Sequence, residues 1–348
     1  MKNLIFPLVI SIAISLLLGH PVATVATRFG LMDMPGSAPH KKHARPTPLA
    51  GGVLIVAAFL ILVFTYRNDI NRELLVVFAG ALIIFVFGLW DDLKGLRVIH
   101  KLIGQLIATS LLVACGVQVY FMTVLFQDSS VVSPLIAQIL NVLITFFWVV
   151  GITNAMNMID SMDGIVAGLG VIAAAFFMGA TGFSQQHTLA IWSACLLGIS
   201  LGLYIWNGIA VRFFLGDSGA QTLGFLLASF GILYNPLNRN PESSWIVPIL
   251  LLGIPIFDTS LVVLSRLRRK QPVGSGRRYH TYHRFIRLGL RPRIAVLCVH
   301  FMALTIGSLA FYTFYLPSWM ALLFFMIALL IGLGFLLWLE RQPTLDDE

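Results

Sequence analysis

The chain is predicted to be an all-α integral membrane protein, a polytopic bundle of about eleven transmembrane helices. Three observations predict it. Of its 348 residues, 58% are hydrophobic and 11% charged, whereas a soluble domain carries about 25% charged residues. The apolar residues fall in runs of roughly 17–25, each long enough to cross a bilayer as a helix. Lys and Arg gather on the loops of one side, the asymmetry that orients polytopic proteins.

In chain order the runs cover about 4–20, 49–66, 74–90, 102–120, 134–152, 164–183, 188–206, 213–234, 245–264, 294–315 and 319–339. Lys2 gives the first run the look of a signal peptide, but Leu16-Leu17-Leu18-Gly19-His20-Pro21 is a poor cleavage context and ten further runs follow, so it is read as a helix. With eleven crossings, one side holds the loops at about 21–48, 91–101, 153–163, 207–212 and 265–293 and the C-terminal tail. These carry 19 of the 23 basic residues, leaving Lys2, Arg67, Arg72 and Arg239 opposite. The N-terminus is therefore expected outside and the C-terminus in the cytoplasm. The net charge of +8 follows from the same bias. No basic module stands apart from the spans, so nucleic acid is not an expected partner. Cys115, Cys195 and Cys298 each lie inside an apolar run, which argues against a disulfide framework or a zinc site. With no soluble segment or clear repeat, residues 1–348 are read as one polytopic domain.

The chain has fifteen acidic residues, and five sit in three short motifs at the ends of apolar runs. All three motifs fall on the predicted cytoplasmic side. Carboxylates there are costly, about 2.5–3.5 kcal/mol at a bilayer centre on insertion scales. Asp91-Asp92-Leu93-Lys94 closes the third run, and Lys101 and Gln105 open the fourth. Adjacent carboxylates cannot both turn the same way on a helix, so one can meet a cation or phosphate while Lys94, Arg97 or Lys101 holds the other. In Asn154-Ala-Met-Asn157-Met-Ile-Asp160-Ser-Met-Asp163-Gly164 a polar residue recurs every third position. At about 100° per residue that row drifts around a helix, so Asn157 and Asp160 could face a metal while Asp163 meets another part of a ligand. Gly216-Asp217-Ser218-Gly219 sets one Asp among small residues, where backbone amides can approach phosphate. The carboxylate itself would repel phosphate, so a bridging divalent cation is its natural partner. Asp and Asn without Glu suit a hard cation and oxygen ligands.

Two basic loops complete the face. The first runs from Asp33-Met34-Pro35 through His40-Lys41-Lys42-His43 to Gly51-Gly52; the second is Arg277-Arg278-Tyr279-His280-Thr281-Tyr282-His283-Arg284. Histidines three apart with flanking Arg can donate hydrogen bonds to a diphosphate or a sugar. Asp258 lies inside the ninth run, as a functional acid or as a buried hydrogen-bond acceptor for a neighbouring helix.

In this order the motifs resemble the polyprenyl-phosphate N-acetylhexosamine-1-phosphate transferases, over essentially the whole chain and closest to the WecA-type branch. One departure stands out: that branch carries His-Ile-His-His where this chain has His280-Thr281-Tyr282-His283. The resemblance implies transfer of HexNAc-1-phosphate, GlcNAc first among the sugars, from a UDP-sugar to undecaprenyl phosphate, releasing UMP. This is the initiating step of O-antigen, common-antigen or teichoic-type glycan synthesis at the bacterial inner membrane. A 6-deoxy HexNAc or a MurNAc-pentapeptide donor is the alternative within the family. A secondary transporter or flippase is the rival from outside it, though such proteins tend to place polar residues near the membrane midplane. The resemblance also implies Mg2+ (or Mn2+) on Asn157 and Asp217, and catalytic roles for Asp91 as base with Asp92 supporting it. It implies substrate contacts at Lys42, His43, Lys101, Asp160, Asp163, His280, His283 and Arg284, and it allows a homodimer.

Overall fold

A computed structural model describes residues 3–35, 45–126, 132–236, 241–271 and 279–342. The described chain is almost wholly helical. The helices are α1 (Ile5–Arg28), α2 (Gly51–Thr65), α3 (Arg72–Lys94), α4 (Val98–Ala114), the short α5 (Phe121–Leu125), α6 (Pro134–Ile159), α7 (Ile165–Phe183) and α8 (His187–Leu203). A π-helical turn (Tyr204–Ile209) follows, then α9 (Gly216–Leu233), the short α10 (Pro241–Ser244), α11 (Ile246–Leu251), α12 (Gly253–Arg268), α13 (Thr281–Arg287), α14 (Pro292–Thr313) and α15 (Ser318–Glu340). Among the described residues, seven helical segments are long and apolar enough to cross a membrane: α1, α3, α6, α7, α8 with its π turn, α14 and α15.

Helix is present at every predicted run, but the boundaries differ where polar residues end a run without ending the backbone. The third run stops at Trp90 by composition, whereas α3 continues to Lys94 and carries Asp91 and Asp92 on its last turn. Likewise α6 continues to Ile159, so Asn154 and Asn157 are helical. The polar row is not one helix throughout, because Asp160 is the C-cap and Asp163 lies in the turn before α7. The ninth run is broken into α11 and α12 at Leu252. Pro255, the third residue of α12, lacks the N–H that a continuous helix would aim at Leu251.

The centre of the bundle is α7 and α8, with 61% and 78% of their apolar windows buried, while α15 has 11% and lies at the edge. Water does not drive helix association in lipid, so close packing of small residues does. Ser11 and Ser15 of α1 face Gly198 and Gly202 of α8, and Ser15 Oγ donates to the Gly198 carbonyl at 3.1 Å. α9 packs on α3, α6 and α2. A two-stranded antiparallel ribbon, β1 (Met32–Asp33) with β2 (Thr47–Pro48), follows α1. It is tied to the start of α9, since Phe214 N–H donates to the Pro48 carbonyl at 2.8 Å and Ala50 N–H to the Phe214 carbonyl at 3.1 Å.

Candidate active site

The described parts of the predicted same-side segments meet at one end of the bundle. The ends of α2, α3 and α9 are drawn together by a close approach. A Cβ on Gly88 of α3 would lie 2.5 Å from Ser218 Cα of α9, and one on Gly52 of α2 would strike the Ser218 side chain. Only glycine lets three backbones converge here, which places the end of α3 against the start of α9.

Asp92 uses that contact. Its Oδ1 accepts from Asp217 N–H at 2.7 Å, and its Oδ2 accepts from Ser218 N–H at 3.1 Å and Ser218 Oγ–H at 2.5 Å. It therefore caps α9 across 125 residues of sequence, satisfying amides at a helix start and placing a negative charge there. With both oxygens so engaged, Asp92 positions Asp217 rather than meeting a substrate.

Asp91 faces the other way. It is buried; its Oδ1 accepts from Leu96 N–H at 2.5 Å and its Oδ2 pairs with Lys101 Nζ of α4. Lys101 Nζ also lies 2.6 Å from Asp217 Oδ2, and one ammonium thus bridges two carboxylates. Asn157, from the end of α6, reaches Asp217 with its side chain. Its Oδ1 is buried and has no hydrogen-bond partner. Asp217 itself is about a third exposed, 35% by side chain, so the cluster opens to solvent at that residue. Half-buried Asp160 follows in the turn. Burial, then the nearby charges of Asp217, Asp92 and Asp163, hold its carboxyl well above the usual carboxylate range.

Amides support the acids from below. Gln105 and Asn154 exchange two hydrogen bonds, at 2.7 and 3.1 Å, and Gln105 Nε2 also donates to Gln221 Oε1 at 3.0 Å. This buried chain links α4, α6 and α9 and fixes their rotation. Asn154 is thus a strut, facing Gln105 and not the acids.

The histidine loop divides in two. His280 Nδ1 lies 2.7 Å from Asp258 Oδ2, and Thr281 N–H donates to Asp258 Oδ1 at 2.7 Å. Asp258 is therefore the buried acceptor that starts α13. Arg284 is fully buried, with Nη2 2.9 Å from Glu340 Oε2 and 3.0 Å from Ser265 Oγ, and Nη1 on the Gln342 carbonyl. Arg269 Nη1 binds Glu340 from the other side at 2.6 Å. Arg284 was expected at a substrate, but here its guanidinium docks α15 on α13 and exposes no edge. His283 is partly exposed, with its ring 4.2 Å from that of Tyr282. Lys42 and His43 lie outside the described residues.

Sequence reasoning missed two residues that hold the Asp160–Asp163 turn. Asn207 of the π turn accepts from Gly164 N–H at 2.9 Å, and His300 Nε2 lies 3.1 Å from the Ile165 carbonyl. His300 had a signal, since a lone histidine inside an apolar run is expensive there. Asn207 had a weaker one, as a lone amide at the end of the seventh apolar run; the structure places it on a π turn, a feature that often marks functional sites.

The sequence profile of "Glycosyl transferase family 4" matches residues 74–235, a stretch that contains Asp91, Asp92, Lys101, Asn157, Asp160, Asp163 and Asp217. Curated relatives align over most of the chain. One from Bacillus subtilis (strain 168), named "Probable undecaprenyl-phosphate N-acetylglucosaminyl 1-phosphate transferase", is 28% identical over 95% of this chain and 90% of its own. A decaprenyl-phosphate N-acetylglucosaminephosphotransferase of Mycolicibacterium smegmatis is 31% identical over 83% of this chain and 76% of its own. An undecaprenyl-phosphate alpha-N-acetylglucosaminyl 1-phosphate transferase of Escherichia coli K12 is 26% identical over 87% and 83%. Apolar helices that gather acids, a lysine and an amide at one end thus define a multi-pass membrane transferase. The chain belongs to glycosyl transferase family 4.

Proposed function

We propose that this protein transfers HexNAc-1-phosphate, with GlcNAc the first candidate, from a UDP-sugar to undecaprenyl phosphate, giving undecaprenyl-diphosphate-HexNAc and UMP. The observation that carries this reading is the Asp91–Lys101–Asp217 bridge with Asn157 beside it, inside the segment matched by the family profile. The names of the aligned relatives point to the same step. Our reading of the membrane arrangement is eleven crossings, the N-terminus outside, and this end of the bundle in the cytoplasm of a bacterial inner membrane.

Among the described residues no three of His, Cys, Asp and Glu converge as a metal cage, which disfavours zinc. Mg2+ needs less: one or two protein ligands, with waters and substrate phosphates for the rest. The open carboxylate of Asp217 and the unpartnered Oδ1 of Asn157 fit that donor set. When bound, the ion would neutralise phosphate charge. Asp160 and Asp163 in the neighbouring turn, with His280 and His283, are assigned to the donor side.

Two anions must meet, so alignment and charge compensation carry most of the barrier reduction. A phosphate monoester has its second pKa near 6 and is mostly dianionic at neutral pH, so the acceptor needs little help losing a proton. Asp91 has both oxygens engaged and is better suited to orienting Lys101 than to acting as a base. Lys101 then presents its ammonium to the lipid phosphate at the membrane edge, where the prenyl chain stays in the bilayer.

The test is to incubate purified protein with undecaprenyl phosphate, Mg2+ and a panel of UDP-HexNAc donors, and to identify lipid products by mass spectrometry. Product from one donor identifies the sugar. Folded protein that neither forms product nor binds any UDP-sugar overturns the reading and brings back a transporter.

A further inference from the structure

The Asp160–Gly164 turn is held from three separate elements. Gly164, at φ +77, leaves no room for a side chain, since a Cβ would lie 2.8 Å from Gly208 Cα; its N–H is taken by Asn207. His300 of α14 holds the next carbonyl. The third hold comes from the histidine loop: the Tyr282 hydroxyl, from a fully buried side chain, bonds Ser161 Oγ. Tyr282 sits on α13, which Asp258 anchors at its start and the Arg284–Glu340 pair anchors on its flank. Its ring lies nearly parallel to that of His280 at 5.9 Å and 4.2 Å from that of His283. A rigidly mounted phenol therefore spans from the histidines to a serine placed between the two turn acids.

We propose that Tyr282 is a positioning residue: through Ser161 it fixes the Asp160–Asp163 turn at a set distance from His283. Both ends of the bridge carry groups assigned above to the donor, and on that reading the pair acts on donor binding and leaves the phosphoryl step alone. The Tyr282–Ser161 bond joins α13 to the turn and involves neither Asp91, Lys101 nor Asp217. Without the phenolic oxygen the turn keeps two of its three holds, so it loosens without unfolding.

Two measurements test this. In the transfer assay Tyr282→Phe and Ser161→Ala should each raise the donor KM about three- to tenfold, the size of one net hydrogen bond. Turnover and the KM for undecaprenyl phosphate should change less than about twofold, and the double variant should match either single one because the pair acts as a unit. A silent Y282F, effects that multiply in the double variant, or an equal loss in turnover and in both KM values would overturn the proposal. The second measurement needs no substrate. Amide hydrogen exchange at residues 161–164 of the ligand-free protein should quicken in Y282F while α7 and α14 stay protected; unchanged exchange overturns the positioning role. If the folded wild type neither makes lipid product nor binds any UDP-sugar, the functional reading fails, and exchange still decides whether Tyr282 holds the turn.

Discussion

Asp91 and Asp92 are adjacent in sequence and do different work, because a helix sends neighbouring side chains about 100° apart. Asp92 spends both oxygens on the start of α9, and Asp91 holds Lys101. Asp92→Ala should cost about 1 kcal/mol, the usual value of a helix cap, and turnover should fall with it because Asp217 sits on the uncapped turn. A lower melting temperature in detergent alongside the kinetic loss checks this. Asp91→Asn should instead lower turnover with UDP-sugar binding nearly intact and melting little changed; equal loss of binding and turnover would assign Asp91 to metal holding or folding. The acids themselves were legible in the sequence, since five carboxylates at the ends of apolar runs have no cheap reason to be there. Their division of labour was not. Asp92 meets Ser218 at a separation of 126 residues, and Arg284 looked like a phosphate ligand until its partner Glu340 appeared 56 residues on. Patterning reports which face a residue occupies, whereas pairing across the bundle depends on how helices cross.

Between elements, the site depends on how closely α2, α3 and α9 approach. Gly88→Ala would press a methyl group on the Ser218 backbone, and overpacking of this kind costs about 1–3 kcal/mol. The expected result is loss of transfer with partial loss of thermal stability, because Asp92 can no longer reach the α9 amides. Gly151→Ala is the matched control, since a Cβ there meets nothing within 4 Å and both properties should hold. Among the described residues the apolar runs located every long helix, as they should when the membrane core excludes other backbone, but not the short α5, α10 and α13. They missed the break at Leu252 and the π turn after α8. Pro255 was visible ahead of that break, but a proline in an apolar run signals only that some adjustment follows. The run of Asn154, Asn157, Asp160 and Asp163 was read as one helix because its spacing fits one. The chain instead leaves the helix at Asp160 and turns at Gly164, putting the last acid on a turn held by Asn207 and His300.

At the scale of the whole molecule, the account requires a working end and an outer end. The acid motifs and the described part of the histidine loop converge where Asp217, Ser161 and Glu340 lie. Exposed Arg67 lies in the α2–α3 connection and exposed Lys94 on the last turn of α3, at opposite ends of that helix, which makes the orientation testable. In a variant lacking the three native cysteines, Arg67→Cys should react with a membrane-impermeant thiol reagent in intact cells, and Lys94→Cys only after permeabilisation. The reverse pattern would place the acids outside, away from any cytosolic nucleotide sugar. The reaction is defined by which bond breaks in the donor, and one labelling experiment reads it directly. With UDP-GlcNAc carrying 32P at the β-phosphate, purified protein, Mg2+ and undecaprenyl phosphate, the account predicts label in the lipid fraction and release of unlabelled UMP in equal amount. Label left on soluble UDP, with sugar alone moved to the lipid, would contradict it, because the donor would then have broken at the sugar carbon and not at its β-phosphorus.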